Sequence, residues 1–355
     1  MKVCMITDTH FGAKNDAPEF VSHQIEFYTN VFFPHLVKHN IHTILHLGDI
    51  FDRRKYTNHH TLQQFREFFF DMLIEFDIKM YIIIGNHDTY FKSTNDVNAP
   101  SLFLGEYSDH VILVEEPTVI KIDDIEIAMM PWINAQNYQE SLDFMDTHRD
   151  TADVLCGHFE IRGFEMHRGG GINTSGLKAE IFKGFPHVYS GHFHEPSKDG
   201  SIMYLGAPYE YTWADHDCQR GFYELCTKSG EVADYIVNPL KMHHRIMYDE
   251  FFDAPTYDAS QLTGKIVRLI VAEKLDNKEF EDFVERVEHA APFNFEVVDN
   301  SSYHIAGEEV DEEALKNEDT LGIVESYVEQ SEVAVDKERL NKMFKSLYIE
   351  ALSEE

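Results

Sequence analysis

The chain has 355 residues, with 63 Asp+Glu against 30 Lys+Arg, a formal net charge of −33. Its mean field repels phosphate, so attachment to nucleic acid by bulk attraction is excluded. The length predicts two or three domains with a sizeable core, and a 43% hydrophobic, 13% aromatic composition excludes a largely disordered chain.

The opening MKVCMITDTHFG reads as a strand followed at once by polar residues, not as a signal peptide. No stretch approaches the ~20 apolar residues of a membrane span, so a cytoplasmic protein with no membrane partner is expected. Short apolar runs predict strands at Val3–Thr7, Thr43–Leu47, Met80–Ile84, Asp153–Cys156 and Val188–Ser190. Helices are predicted at Phe20–Lys38 and Thr61–Phe76; in the second, Leu62, Phe65, Phe69, Met72 and Leu73 recur at helical spacing. This alternation predicts an α/β sheet with parallel character. The pattern changes over residues 200–237, where Met203–Leu205, Gly221–Leu225 and Ala233–Val237 lie between turn signals and predict antiparallel strands.

A second unit begins near Lys241. Strand Gly264–Ala272, helix Asn277–Ala290 and strand Phe293–Val298 predict a small β-α-β domain over 241–300. Residues 301–319 form an acidic linker too poor in apolar side chains to fold alone. Residues 320–355 predict two amphipathic helices. Leu321, Val324, Tyr327 and Val328 mark the first; Leu340, Met343, Phe344, Leu347 and Tyr348 mark the second, which Asp336 caps. Separated from any obvious core, this pair is expected to dock on another protein. Cys4, Cys156, Cys218 and Cys226 contain no C-x-x-C pair and predict free thiols in a reducing compartment. No G-x-x-x-x-G-K-[ST] occurs, so a P-loop is excluded.

Histidine occurs 21 times, 17 of them within 1–240, which puts the chemistry there. Polar clusters follow the predicted strands: Asp8-Thr9-His10, Gly48-Asp49, Gly85-Asn86-His87-Asp88, Gly157-His158 and Gly191-His192-Phe193-His194. Ligands gather beyond the C-terminal ends of strands in open α/β sheets. A lone histidine is more often a core or surface residue than a ligand, but coincidence does not account for the whole series. Asp, His and Asn suit borderline divalent ions such as manganese, iron or zinc, and the absence of thiolates argues against a structural zinc site. One carboxylate, best Asp49, is placed to bridge two ions.

In order, glycine placement and spacing, these clusters resemble the signature motifs of the calcineurin-like metallophosphoesterases over residues 1–240. The resemblance implies a four-layer α/β sandwich, two central β-sheets flanked by helices. It assigns Asp8, His10, Asp49 and His194 to one divalent metal ion, and Asp49, Asn86, His158 and His192 to the other. Manganese is the expected ion, with magnesium, iron and zinc as alternatives. His87 then sits beside the scissile phosphate, stabilising the transition state or protonating the leaving oxygen, with Asp88 orienting it.

Within that superfamily the chain is most similar to SbcD-type double-strand-break repair nucleases, especially those of tailed phages. The likeness rests on GDIFD, GNHD, GHFEIRGFEM and YLGAPYEYTWAD…RGFYEL. It implies a nuclease domain at 1–240, a small α+β DNA-capping domain at 241–300, and a helical tail at 320–355. That tail would dock on a coiled-coil, SbcC-like ABC-type ATPase inside a bacterial or phage-infected cell. It also implies a homodimer and hydrolysis of DNA phosphodiesters with two metal ions in a recombination and repair complex. Some members carry a histidine, credited with phosphate contact, where this chain has Asp52. Phosphate contact is therefore expected to shift to Arg53 and Arg54. Competing readings are a phosphomonoesterase or cyclic-nucleotide phosphodiesterase on the same core, and a non-catalytic scaffold, which the intact ligand set disfavours.

The acid excess is uneven. Residues 241–355 carry −16 of the charge in less than half the length, whereas the loops after the five motifs are close to neutral. With two divalent ions added, the mouth of the site becomes locally cationic, so it is expected to engage a few phosphates only.

Overall fold

A computed structural model describes residues 1–165, 171–274 and 276–299, together with Lys337. The acidic linker and the tail helices expected at 301–355 lie outside the described residues, apart from Lys337.

In chain order the strands of the first two sheets are β1 (Lys2–Ile6), β2 (Thr43–His46), β3 (Lys79–Ile83), β4 (Val111–Val114), β5 (Thr118–Ile122), β6 (Ile125–Met130), β7 (Val154–His158), β8 (His187–Gly191), β9 (Ser197–Asp199), β10 (Ile202–Tyr204), β11 (Gly221–Cys226) and β12 (Val232–Val237). One six-stranded sheet runs β12-β11-β1-β2-β3-β4 and the other β5-β6-β7-β8-β10-β9. The first four strands of the chain pair in parallel, as do β6, β7 and β8. Strands β11 and β12 are antiparallel, as expected for 200–237, but β10 departs from that expectation: it pairs parallel with β8 and antiparallel only with β9.

The period-2 alternation of a strand explains the layering. In β1, Val3 and Met5 join an apolar core with Leu45, Ile83, Ile127, Val154 and Cys156, the residues between the two sheets. Cys4 and Ile6 face the other way, into a core with Phe27, Phe32, Phe65 and Phe69 of the covering helices. Leu155 and Val188 pack outward from the second sheet on Met145 of helix Tyr138–His148. Helix, sheet, sheet and helix make four layers. Strands buried on both faces read as nearly continuous apolar runs, which is why the sequence shows them plainly.

The expected helix 20–38 is the run Pro18–Phe27, Tyr28–Phe32 and Phe33–His39, whose middle segment is a π-turn. The expected helix 61–76 is likewise interrupted by a π-turn at Arg66–Phe70. A third, parallel sheet of β13 (His243–Tyr248), β14 (Ile266–Val271) and β15 (Asn294–Asp299) packs on helix Asn277–His289 around Val267, Leu269, Phe283 and Val287. Buried Glu210 ties this unit on. It accepts from the backbone N–H of Met242 and His243 at 2.9 and 2.8 Å and pairs with Lys241 at 3.2 Å. Among the described residues no helix is long and apolar enough to cross a membrane.

Candidate metal centre

The C-terminal ends of β1, β2 and β3 from one sheet and of β7 and β8 from the other converge on one point. The chain must leave each strand sharply there. Asp8, His10, Asp49 and His192 all have left-handed backbone, at φ 51°, 41°, 55° and 90°. Such strain in non-glycine residues concentrates at functional sites. Gly48 and Gly85 let two of these loops touch. A Cβ on Gly48, at φ 89°, would lie 2.8 Å from the Gly85 Cα, and one on Gly85 would lie 2.2 Å from Asp49 Oδ1.

All seven expected ligands meet here, in two groups. Asp8, His10 and His194 bring donor atoms within 4.8 Å of one another, and Asp49, His158 and His192 do the same. Asp49 Oδ2 lies between them, 3.9 Å from His10 Nε2 and 3.2 Å from His158 Nε2. Asn86 Oδ1 joins the second group, 2.9 Å from His158 Nε2 and 2.8 Å from His192 Nδ1. His158 Nδ1 is 2.7 Å from the Leu47 carbonyl, which can only accept, so Nδ1 carries a proton and Nε2 is the nitrogen that faces Asp49 and Asn86. Nitrogen ligands about 2.0–2.1 Å from a tetrahedral ion lie about 3.3 Å apart. His10 Nε2 and His194 Nε2 are 3.1 Å apart, so the donor set fits divalent ions with little rearrangement.

Asp8, His10, Asp49, Asn86 and His158 are buried, while His192 is partly exposed and the His194 side chain is 35% exposed, so the site opens on that side. Burial pushes the Asp8 carboxyl up, against the opposing pull of His158 and His194. Burial would raise Asp49 too, but the imidazoles of His158, His87 and His10 outweigh it and hold Asp49 well below the usual carboxylate range. Burial disfavours a charged His158, yet Asp49 pulls its pKa up to about 9. Burial, reinforced by His158, holds His192 down to about 3.

His87 borders the two groups. Its ring stands edge-on to that of His10 at 4.9 Å, its N–H donates to Asp49 Oδ1 at 2.7 Å, and its Nδ1 donates to the Asp52 carbonyl at 2.6 Å. Nε2 is thus left for a substrate. Asp88, which its sequence position allows either to orient His87 or to stabilise the turn, is placed in the second way. Its fully buried carboxylate accepts from the backbone N–H groups of Gly85, Asp49, Ile50 and Phe51 at 2.8, 2.9, 3.0 and 3.2 Å. It splices the Asp49 loop to the Asn86 loop, and the imidazole of His87 is oriented by Asp52 instead.

Arg53 differs from expectation as well. It is held by an ion pair with Asp16 and a 3.2 Å hydrogen bond to the Gly12 carbonyl, with its guanidinium 4.9 Å from the Tyr56 ring centroid. Arg54 is half-buried in the field of Asp49 and Asp88, and its buried Nη1 has no hydrogen-bond partner.

Sequence reasoning did not single out several supports of the site. Thr7 Oγ1 donates to Asp8 Oδ2 at 2.8 Å. The Tyr211 hydroxyl donates to the Asp8 carbonyl at 2.9 Å, and its ring lies against both His10 and His194. Trp132 packs on His158 and His192 at 5.9 and 5.3 Å. Asp52, named from the sequence only as a departure from a histidine, has Oδ1 3.5 Å from His10 Nδ1, on the side of the ring away from the other ligands. Tyr211 falls in the YLGAPYEYTWAD segment, whose run of aromatics was the available signal.

Two buried carboxylates, an amide and four imidazoles thus meet at the strand ends of a two-sheet α/β fold, in groups that could hold divalent metal, the arrangement of a metallophosphoesterase. The chain belongs to the calcineurin-like phosphoesterase family, whose model matches residues 1–196. Over 354 residues, 99% of each chain, it is 31% identical to exonuclease subunit 1 of Enterobacteria phage T4. The crystal structure of a dimetal phosphatase from Danio rerio matches with a TM-score of 0.42 at 10% identity, covering 63% of this chain and 91% of that one.

Proposed function

We propose that the chain is the nuclease subunit of a DNA recombination and repair complex, hydrolysing DNA phosphodiesters at this centre. The observation that carries the proposal is the pairing of an intact dinuclear ligand set with full-length likeness to a phage exonuclease subunit. Asp8, His10, Asp49 and His194 would hold one divalent ion, and Asp49, Asn86, His158 and His192 the other, with manganese the favoured metal. Such an ion pair supplies hydroxide near neutral pH and neutralises charge on the phosphate.

The chain's own groups do the rest. His87 presents Nε2 beside the ligand groups and delivers a proton to the departing sugar oxygen, while the Asp52 carbonyl fixes its ring. Arg54, with an unpartnered buried Nη1, contacts a phosphate oxygen; Arg53, occupied by Asp16, positions the loop. The unit from Lys241 caps the site over DNA. The tail helices beyond residue 319 dock on an SbcC-like coiled-coil ATPase.

Homodimerisation through the helical layer is supported by an apolar groove lined by Phe33, Pro34, Val37, Phe68, Met72 and Phe76. Val37 is 53% exposed there, and the occupant is a second copy of the same face. The test of function is manganese-dependent turnover of linear duplex DNA against a chromogenic phosphomonoester. Cleavage of DNA is expected; turnover of the monoester alone would replace the nuclease with a phosphomonoesterase.

A further inference from the structure

A cluster of metal-ligating side chains lies outside the nuclease centre. His35 and His39 stand at i and i+4, on one face of helix Phe33–His39. Across from them Glu224, on β11, is 1% exposed and pairs with Cys4 in the middle of β1. Asp8 lies four residues further along the chain, about 13 Å if extended at ~3.3 Å per residue, so this cluster is separate from the site above.

Both imidazoles turn toward the same carboxylate oxygen. His35 Nε2 is 2.7 Å and His39 Nδ1 3.9 Å from Glu224 Oε1, and the three donor atoms lie within 4.8 Å of one another. These two spacings bracket the ~3.3 Å separation of ligands around a tetrahedral ion. A hydrogen bond from His35 explains the shorter contact but not the longer one, which is beyond hydrogen-bond reach. The rings stack at 4.1 Å with an interplanar angle of 14°, and an imidazole lone pair lies in its ring plane, so sharing one ion requires the rings to turn about their side-chain torsions until both lone pairs meet it.

The surroundings suit a cation. His39 is the last residue of its helix, where unsatisfied carbonyls leave partial negative charge. Lys2 binds Glu224 through the other oxygen, Oε2, which fixes the carboxylate and leaves Oε1 for a ligand role. The ammonium lowers affinity for a divalent ion without closing the site. His39 is 39% exposed, so the ion is reached from solvent and keeps a position for water.

We propose that His35, His39 and Glu224 form a second, separate metal site that takes one borderline divalent ion such as zinc, pinning the end of helix Phe33–His39 to strand β11. Imidazole and carboxylate favour zinc, cobalt or nickel over magnesium or calcium at such a site. Because the same helix lines the apolar groove through Phe33, Pro34 and Val37, the ion would hold that face rigid.

The test uses the full chain, stripped with chelator, reloaded with manganese and dialysed against zinc, with total bound metal counted by mass spectrometry. Wild type is expected to hold one more ion per chain than either His39→Ala or His35→Ala. Removal of exposed His42 should leave the count unchanged. His39→Ala is solvent-facing and is expected to keep its manganese-dependent turnover of a chromogenic phosphodiester, which reports that the chain is folded. Equal metal counts in wild type and His39→Ala would overturn the site. So would an equal loss in His42→Ala, which would mark adventitious surface histidine binding. Both comparisons are differences between variants, so they stand whatever the nuclease centre itself binds.

Discussion

The junction between the phosphoesterase layers and the unit beyond Lys241 includes one buried carboxylate beside the ring contacts of Trp213 with His243 and of Phe20 with Phe293, and replacing that carboxylate tests whether the unit belongs to the active assembly. Glu210 is 1% exposed and pairs with Lys241, and it accepts from the backbone N–H of Met242 and His243. Burial alone would raise its pKa, but the His243 side chain and N–H, Lys241 and the Met242 N–H together hold it down to about 2, against an ordinary 4.5. A folded-state pKa below the unfolded one means stability that is present above pH 4.5 and lost as the pH falls toward 2. The difference corresponds to about 3 kcal/mol at pH 7, falling to less than half of that at pH 3. Glu210→Gln keeps the shape and one acceptor but cannot titrate. In urea unfolding the variant should be less stable than wild type by about 3 kcal/mol at pH 7, with the gap closing progressively below pH 4.5. If the appended unit caps DNA as proposed, turnover of duplex DNA should fall further than turnover of a small phosphodiester, which is too short to reach it. A gap that stays constant from pH 7 to pH 3 would refute the assignment of this stability to the Glu210 charge.

Two other predictions follow from the site and the tail. Burial and the neighbouring Asp49 push Asp88 up to about 7, against the pull of the Gly85 and Phe51 amides; divalent ions at Asp49 reverse the repulsion, so metal loading near pH 7 should release protons, fewer of them in Asp88→Asn. Calorimetry in buffers of different ionisation enthalpy measures the difference, and equal release would place Asp88 outside the metal linkage. Truncation after Asn317 should keep metal binding and abolish co-purification with the ATPase subunit; retained association would move docking elsewhere.

Much of the architecture could be read from the sequence because it is written in short-range patterns. Strands buried on both faces are apolar runs, and each ends in a polar cluster where the chain leaves the sheet, so β1, β2, β3, β7 and β8 were legible, as was the meeting of the seven candidate ligand side chains. The segment Val111–Met130 was not, because β4 joins one sheet while β5 and β6, a few residues later, begin the other. Local pattern does not encode that switch. Side-chain partners were misread for the same reason. Asp88 follows His87 in the chain, yet its carboxylate reaches amides 37–39 residues earlier. Arg53 looked available beside Asp49 until the turn carrying Asp16, at φ 57°, brought a carboxylate to it.

The proposed catalysis turns most directly on His87, which borders both candidate ligand groups and belongs to neither. The decisive measurement is manganese-dependent cleavage of linear duplex DNA by His87→Ala, with bound metal counted in the same sample. Two ions retained per chain and cleavage reduced by about 10²–10⁴-fold, the ordinary contribution of a general acid, are the predicted result. Cleavage at the wild-type rate, with both ions in place, would contradict it.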